Sequence, residues 1–174
     1  MSQGWVEGFE DLSVDGFGSV VWPEGWAAFN GPTDGGTNQW SASTDAASGA
    51  QAAYIQWQLI DVGSTQDFLI TPQFTPSSEE ASVFSFKHKK TYGTLYPTDY
   101  SVKITTAGQS DFESYVDLIA FGAPDLTTEY ETLSLNIPAE YYGIPVHVAF
   151  VHENNDGDDW YIDDVFVFGT GTHD

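Results

Sequence analysis

The stretch Asp158 to Gly169, "DDWYIDDVFVFG", near the end of the chain, decides the fold class. From Tyr161 to Phe168 it is rich in aromatic and β-branched residues with partial alternation, which is typical of a buried β-strand. Two adjacent carboxylates, Asp163 and Asp164, interrupt this pattern. Neighbouring side chains of a strand point to opposite faces, so one of the two is expected to face inward or into a sheet end.

A buried carboxylate needs a partner, because an unpaired buried charge is very costly. The chain has only four lysines, all between Lys87 and Lys103, and no arginine. An ion pair is therefore possible, but a bound cation is the favoured neutraliser. A hard cation such as Ca²⁺ takes six to eight oxygen ligands, and this sequence is rich in carboxylates and amides. The alternative is a solvated Asp pair at a strand end.

Working outward from this strand, the same kind of pattern recurs along the chain. Similar segments separated by clusters of turn residues predict many short strands. Without convincing crossover helices, they favour an all-β fold, an antiparallel jelly-roll-like β-sandwich. Only residues 114–122, "SYVDLIAFG", suggest a short helical turn, and this segment could equally be a strand. The other predicted strands are Ala52–Ile60, Asp67–Pro72, Val83–His88, Tyr100–Thr106, Leu133–Ile137 and Val146–His152.

The length of 174 residues predicts one domain, which we place at residues 5–169. Residues 1–4 are interpreted as a linker or an added start, and residues 170–174 as the start of a linker. The chain is thus expected to be a module of a longer protein. A domain of this size buries about 70% of the surface that its unfolded chain exposes, so it needs no disulfide to fold.

Composition excludes several classes of function. The 26 acidic residues against four basic ones give a net charge of −22, which repels nucleic acids and anionic membranes. No apolar run is long enough for a membrane-spanning helix, so membrane insertion is not expected. With no cysteine, the chain has neither disulfides nor thiolate chemistry. Its content of 41% hydrophobic and 16% aromatic residues indicates a folded domain rather than a disordered acidic tail.

Six short motifs in order carry a family resemblance. They are "GFEDL" (8–12), "PEGW" (23–26), "TDGGTNQW" (33–40), "FLITPQF" (68–74), "HVAFVHEN" (147–154) and "YIDDVFV" (161–167). In this order the chain resembles the cleaved-adhesin domain, also called choice-of-anchor J, and more distantly the MAM domain. Cleaved-adhesin domains occur in the haemagglutinin regions of gingipain-type bacterial proteases and in large secreted bacterial proteins. The resemblance implies a jelly-roll β-sandwich with a structural calcium ion and no catalysis of its own.

The same resemblance implies where the cation lies. Glu10 and Asp163 match the metal-binding pattern of the family, with Asp164 as the alternative, so the ion would tie the first strand to the last. Asp34 matches a common acidic position of the family, although a simple Asp-Gly turn explains it equally well. "NNDGDD" (154–159) has the oxygen donors of a second calcium loop, but a solvated turn is expected there because the EF-hand spacing is missing.

A ligand surface is predicted in the polar segment "KKTYGTLYPTDY". Tyr92 and Tyr96 lie in a loop too polar to be buried, and Lys89 and Lys90 beside them form a basic-aromatic spot on an acidic protein. Trp57, between two glutamines, is a further candidate. Exposed aromatic rings stack on the apolar faces of sugars. The alternative is a strand edge that is protected by lysines.

These observations predict a non-catalytic, calcium-stabilised adhesion or carbohydrate-binding module, secreted or on the cell surface, and monomeric. Its partner would be a glycan or an extracellular protein. The alternatives are a structural spacer or protein-interaction module and, less favoured, a glycan-active enzyme. His147 and His152 are five residues apart, which places them on opposite strand faces and argues against a shared zinc ion. His152 is expected to make a hydrogen bond in the core.

Overall fold

The computed structural model describes residues 3–14, 20–31, 37–77 and 82–170. Within these ranges the chain forms β-strands and three single-turn 3-10 helices, with no α-helix. The strands are β1 (Gln3–Glu7), β2 (Ser13–Val14), β3 (Val20–Val21), β4 (Ala27–Asn30), β5 (Ser41–Ser43), β6 (Ala52–Ile55), β7 (Thr65–Ile70), β8 (Val83–Lys89), β9 (Thr98–Thr105), β10 (Val116–Gly122), β11 (Glu131–Asn136), β12 (His147–Asn154) and β13 (Trp160–Thr170). The 3-10 helices are Phe112–Ser114, Ala123–Asp125 and Ala139–Tyr141.

The strands form two packed sheets. The first has the order β11-β8-β13-β6-β5, with β1 also beside β13, and the second has the order β10-β9-β12-β7-β4. Strands β2 and β3 pair separately. All of these pairings are antiparallel. The predicted antiparallel, jelly-roll-like β-sandwich is therefore confirmed.

Alternating side chains from the two sheets meet in one apolar core. In β8 every second residue is buried, so Phe84 and Phe86 point inward while Ser85 and Lys87 do not. Phe150 of β12 faces them from the other sheet, with ring centroids 5.7 and 4.9 Å away. Burying each such ring stabilises the fold by about 1.5–3 kcal/mol, because its apolar surface leaves water.

Strand β13 changes its partner halfway along. On one side its residues 160–162 pair with β6, whereas its residues 165–170 pair with β1. Asp163 and Asp164 lie between these two partners, at a position that we call the seam. On the other side the pairing with β8 shifts between Asp163 and Phe166, and Asp164 has a φ of 47°. Such a bulge bends the strand and re-aims the side chains beside it.

The strands predicted at 83–88, 100–106, 133–137, 146–152 and 161–168 are confirmed to within two residues. Of the two alternatives for residues 114–122, the strand is correct over Val116–Gly122. The predicted strand from Ala52 ends at Ile55, because the chain turns away from the sheet there. No helix in the described ranges has the length and apolar character needed to cross a membrane.

Candidate functional site

Three carboxylates that were predicted as cation ligands meet one loop at the seam. We call Glu10, Asp163 and Asp164 the acidic cluster. Residues 47–50 form a loop that makes hydrogen bonds to all three side chains. Glu10 follows β1, which pairs with β13, so carboxylates from opposite ends of the chain come together.

Asp163 is the buried member of the acidic cluster, with 0% exposure. Its Oδ2 accepts hydrogen bonds from the backbone N–H groups of Ala47 at 2.8 Å and Ser48 at 3.1 Å, and its Oδ1 accepts one from Asp164 at 2.8 Å. Burial raises the pKa of Asp163 to about 6, against the lowering effect of these donors. Of the two adjacent aspartates, Asp163 is therefore the one that faces inward.

Asp164 is partly exposed and has two neighbours of its own. The Ser48 hydroxyl donates to its carboxylate at 2.7 Å. The Lys87 ammonium lies 3.4 Å from the same carboxylate. Because both side chains of this ion pair reach solvent, the pair stabilises the fold only slightly.

Glu10 is exposed, and the loop approaches it through a glycine. The Ala50 N–H donates to the Glu10 carboxylate at 2.6 Å. Gly49 has a φ of 66°, and a Cβ at this position would collide with the Glu10 carboxylate. This position therefore requires glycine both for its left-handed backbone and for the close approach.

The chemistry of the acidic cluster suits a hard cation, since carboxylate oxygens are its usual protein ligands. Its buried carboxylate, Asp163, is surrounded by N–H groups rather than by a full ion-pair partner. Within the described ranges, however, no group of three or more His, Asp or Glu side chains has an arrangement that could hold a metal ion. A cation would have to compete with the loop N–H groups. Asp34, the other predicted ligand, lies outside the described residues.

The second candidate site is the loop of residues 91–97, which we call the tyrosine loop. Tyr92 and Tyr96 are 42% and 39% exposed, so both side chains are at the surface as expected. Their ring centroids are 5.8 Å apart and the ring planes meet at 85°, so the two rings form a corner. Leu95, between them in sequence, is exposed as well.

Two buried aspartates, Asp158 and Asp159, hold the tyrosine loop, and we call them the aspartate hub. They are 0% and 3% exposed, so the solvated turn predicted here is wrong. The Asp158 carboxylate accepts backbone N–H bonds from Thr91 at 3.1 Å and Tyr92 at 3.2 Å, and the Thr98 hydroxyl accepts the Asp158 N–H at 2.9 Å. The carboxylate can be buried because these N–H groups replace its water.

Asp159 connects the tyrosine loop to Trp57. Its Oδ1 accepts the Trp57 N–H at 2.8 Å, and its Oδ2 accepts a hydrogen bond from the Thr91 hydroxyl at 2.6 Å. The Thr91 hydroxyl also lies 2.9 Å from the hydroxyl of Tyr161 on β13. Trp57 is half-buried and is thus anchored to the same carboxylate as the tyrosine loop.

A second loop, residues 56–64, is held by the same turn. Side-chain oxygens of Asn154 and Asn155 accept backbone N–H bonds of 2.9 and 3.0 Å from this loop. It carries the exposed apolar residues Leu59 and Val62. In the sequence, the asparagines of "NNDGDD" indicate that this turn can bind backbone N–H groups. Nothing local shows that these groups belong to residues 56–64.

The predicted basic spot beside the tyrosines does not form. Lys90 is 3% exposed, and its ammonium donates to the Ala123 carbonyl at 2.9 Å, so its assignment to an exposed ligand surface is wrong. Lys89 lies at the end of β8 and makes an ion pair with Asp45. The physical reason is that a lysine buries its stem and directs its ammonium to the nearest acceptor.

Two histidines, His88 and His152, are buried in the core. His152 is fully buried and donates from Nε2 to the Asp158 carbonyl at 2.7 Å, which confirms the predicted core hydrogen bond. Burial lowers the pKa of His152 to about 4, so the ring is neutral at pH 7. His147 instead bonds the Thr71 carbonyl at 2.8 Å. The rings of His147 and His152 therefore make hydrogen bonds to different segments of the chain, as expected from their spacing of five residues.

Another buried carboxylate, that of Asp67 on β7, has an oxygen without a hydrogen-bond donor. It lies directly opposite His152 in the register of β7 and β12, and it is 2% exposed. Asp67 Oδ1 and His152 Nδ1 are both buried without a hydrogen-bond partner. Burial raises the pKa of Asp67 to about 7.

Searches with the sequence match no protein-family model and no curated protein. Comparison of structures does reveal a similar fold. The K1 cleaved adhesin domain of Lys-gingipain from Porphyromonas gingivalis W83 has a TM-score of 0.69 at 16% identity, and the match covers 97% of this chain and 99% of that one. The chain has the fold of a cleaved adhesin domain. The resemblance of the motifs is confirmed at this level.

The cleaved-adhesin fold is also similar to that of carbohydrate-binding modules. The CBM22-1 xylan-binding domain of Paenibacillus barcinonensis Xyn10C has a TM-score of 0.58 at 14% identity, with 97% of this chain and 95% of that chain covered. A CBM61 module in complex with β-1,4-galactotriose has a TM-score of 0.55 at 14% identity, with 84% and 89% covered. Such similarity describes the fold, whereas specificity depends on the side chains that the fold presents.

Proposed function

We propose that this chain is a non-catalytic binding module of the carbohydrate-binding or adhesion type, and that the tyrosine loop is its ligand surface. One observation carries the proposal. Tyr92 and Tyr96 are both exposed, yet the backbone of their loop is bonded to buried carboxylates. Large aromatic side chains that are held together at the surface are typical of a binding site.

A fixed pair of tyrosines is suited to sugars. The apolar face of a pyranose stacks on an aromatic ring, whereas its hydroxyls exchange bonds with water at small net gain. Because the aspartate hub already orders the loop, binding loses little conformational entropy. Trp57 is bonded to Asp159 of the same hub and is a further contact candidate.

The structural neighbours support this class of function. They include adhesin domains of a bacterial protease, a xylan-binding domain and a module in complex with a galactotriose. By analogy we propose a monomeric module that is secreted or displayed on a cell surface, and whose partner is a glycan or an extracellular protein. Fold similarity alone does not choose between these partners.

The chemistry of the described residues favours binding over catalysis. A glycosidase requires two carboxyl groups that flank the bond to be cleaved. The buried pair Asp158 and Asp159 instead makes hydrogen bonds to loops of its own chain. His88 and His152 are also buried, and burial lowers the pKa of each to about 4.

The test is retention of the domain on a panel of polysaccharides. The native domain is expected to bind at least one of them, and the double variant Tyr92→Ala/Tyr96→Ala is expected to lose that binding. Both domains should have nearly the same melting temperature, since surface substitutions change stability little. Tyr142→Ala, at a half-buried tyrosine outside the tyrosine loop, is the control. A folded double variant that still binds would place the site elsewhere, and no retention of any glycan would favour the spacer or protein-interaction alternative.

We also propose that the acidic cluster binds a hard cation, with calcium as the first choice. The convergence of Glu10, Asp163 and Asp164 on loop 47–50 supports this proposal. When bound, the ion would supply positive charge where carboxylates from the two ends of the chain meet, so cation binding would contribute directly to folding.

A further inference from the structure

Every lysine of this chain is already engaged by another group of the chain. The four lysines are the only basic side chains besides histidine, and all lie in the described ranges. Lys90 is buried against a carbonyl, Lys87 contacts Asp164, and Lys103 bonds Asp117 at 2.7 Å. That leaves Lys89, the lysine closest in sequence to the tyrosine loop whose ammonium is not buried against the backbone.

Lys89 is held in place by three groups. Its ammonium makes an ion pair with Asp45, and it lies 5.2 and 4.7 Å from the ring centroids of Tyr130 and Tyr161. Its side chain is only 12% exposed. The Tyr130 hydroxyl donates to the Asp45 carbonyl at 2.6 Å, which closes the arrangement. Turning Lys89 toward a ligand would break an ion pair and two cation–π contacts together.

The histidines do not replace these lysines as cations. Burial lowers the pKa of His88 and of His152 to about 4, so both are neutral at pH 7. A polyanion that approaches the tyrosine loop therefore meets no free lysine beside it, because Lys89 and Lys90 are both occupied. It also meets the field of a chain whose net charge is −22.

A cationic ligand is disfavoured for a different reason. Binding an ammonium group tightly takes a carboxylate in direct contact with it, as well as aromatic faces. The carboxylates that are bonded to the tyrosine loop, Asp158 and Asp159, are 0% and 3% exposed and accept hydrogen bonds from the backbone N–H and the hydroxyl of Thr91. They cannot contact a ligand. Attraction by the remaining acidic surface acts at longer range and is screened by salt.

On these grounds, and resting on the proposed function, we infer that the tyrosine loop is specific for neutral glycans. It binds the apolar face of an uncharged sugar in the corner between Tyr92 and Tyr96, and it rejects polymers rich in uronate or sulfate. Selection against charge comes from the neutralised lysines and the acidic surface. Affinity comes from the two rings.

The experiment uses pairs of polymers that share one sugar backbone and of which one is neutral and the other charged. Fully methyl-esterified polygalacturonan is compared with its de-esterified form, and chitin oligosaccharides with the corresponding chitosan oligosaccharides. β-1,4-Galactan and β-1,3-glucan serve as further neutral probes. Binding is measured by affinity electrophoresis and calorimetry at physiological and high salt, with calcium and with chelator, because a bound cation could bridge to uronate. The native domain is compared with Tyr92→Ala/Tyr96→Ala in every arm.

We expect the native domain to bind at least one neutral polymer. This binding should be lost in the double variant and should change little with salt. De-esterified polygalacturonan should bind about tenfold more weakly than its ester at physiological salt, a difference of about 1.4 kcal/mol. Chitosan oligosaccharides should bind no more tightly than chitin oligosaccharides at high salt, where long-range attraction is screened. Tyrosine-dependent binding that prefers the uronate or ammonium polymer would overturn the inference and leave the proposed function standing. Absence of binding to all probes would overturn the inference together with the glycan-binding form of the proposed function, and would favour the spacer or protein-interaction alternative.

A charge variant tests the cause. Asp45→Asn removes the ion-pair partner of Lys89 and should raise affinity for de-esterified polygalacturonan about threefold at low salt, with neutral binding unchanged. Asp61→Asn, at an exposed acid of the neighbouring loop, removes the same charge without releasing Lys89 and is the matched control. An equal response to both substitutions would show that overall charge, not Lys89, decides the discrimination, and would overturn this part of the inference.

Discussion

Two Asp-Asp dipeptides flank the same three residues of β13, and the comparison between them shows how context assigns a role. Asp158 and Asp163 are the first members of each pair. Both are 0% exposed, and both accept backbone N–H bonds from a loop that is remote in sequence. The second members differ. Asp159 is buried and bonded to two loops, whereas Asp164 is partly exposed, with a left-handed backbone.

The difference lies in what covers each pair. Asp158 and Asp159 are covered by uncharged backbone and hydroxyl donors, which replace water around both carboxylates. Asp163 and Asp164 have fewer donors and lie close to a third carboxylate, that of Glu10. Three carboxylates lie at the seam beside one lysine, Lys87, and Glu10 among them is exposed, so the acidic cluster is open to a cation from solvent, whereas the aspartate hub is buried.

The largest expected effect comes from deleting Asp158. Asp158→Ala leaves the backbone N–H groups of Thr91, Tyr92 and Asp159 without their acceptor. Each buried donor that is left without an acceptor costs about 1–3 kcal/mol. The free energy of unfolding should therefore fall by about 4 kcal/mol, with or without calcium. Urea unfolding measures this loss. Asp61→Ala, at an exposed site of loop 56–64, should change stability by less than about 0.5 kcal/mol. A similar loss in both variants would contradict the role of the hub.

Removal of a cation should distinguish the pair Asp163 and Asp164 from the pair Asp158 and Asp159. A chelator is expected to lower the stability of the native domain by about 3 kcal/mol relative to calcium at 100 times its Kd, through RT ln(1 + [L]/Kd). Thermal melting with and without chelator shows the effect, and metal analysis identifies the ion. Asp163→Asn and Glu10→Gln should abolish the calcium response, whereas Asp158→Asn should retain it. Coincident melting curves and an empty metal analysis would remove the cation proposal, and a reversed ranking would reassign its ligands.

Asp67 extends the comparison to a buried carboxylate with an unpartnered oxygen. Its pKa is raised by burial from 3.8 to about 7, so the folded state favours the protonated form. The stability that this proton confers is present below pH 3.8 and is lost as the pH rises through about 7. Asp67→Asn, which resembles the neutral acid, should be more stable than the native domain by about 2 kcal/mol near pH 8.

The advantage of Asp67→Asn should shrink toward zero as the pH falls to about 4, because the native carboxyl is then protonated. Urea unfolding over a pH series measures the difference between the two proteins, so other titrating groups cancel. A difference that does not depend on pH would mean that Asp67 does not titrate over this range. A native domain that is the more stable at alkaline pH would mean that the carboxylate has an unseen partner.

The smallest expected effect concerns the glycine that approaches Glu10. Gly49 and Gly63 have φ values of 66° and 80°, so alanine at either position costs about 1 kcal/mol of backbone strain. Only at Gly49 would the added Cβ meet a side chain, the Glu10 carboxylate, since nothing lies within 4 Å of a Cβ at Gly63. Gly49→Ala should therefore cost about 1 kcal/mol more than Gly63→Ala and should also weaken the calcium response. Equal effects in urea unfolding would show that the approach to Glu10 is unimportant.

Most of the fold could be predicted, because strand periodicity is a local property of the chain. The alternation of β8 and the apolar run of β13 identify strands without knowledge of their partners. The inward orientation of one aspartate at 163–164 follows from the same geometry. The exposure of Tyr92 and Tyr96 was also predictable, since their loop is polar and contains glycine and proline.

The candidate sites were only partly predictable. Glu10 and Asp163 were identified by resemblance, and no property of either residue alone indicates that the other is near. Lys90 was assigned to the surface because lysines are usually exposed. The carbonyl that accepts the hydrogen bond of Lys90 is that of Ala123, and no local feature of the sequence connects these two segments.

The sequence by itself determined the fold class, the inward aspartate and the excess of negative charge. Each follows from composition or from the geometry of an extended chain, which any short segment contains. Only the tertiary structure decided that one Asp-Asp pair holds the tyrosine loop while the other lies beside Glu10, and that all four lysines are occupied. A buried charge is tolerated or not according to the N–H groups, hydroxyls and carbonyls within hydrogen-bond distance, and distant segments such as Trp57 and Thr91 supply them.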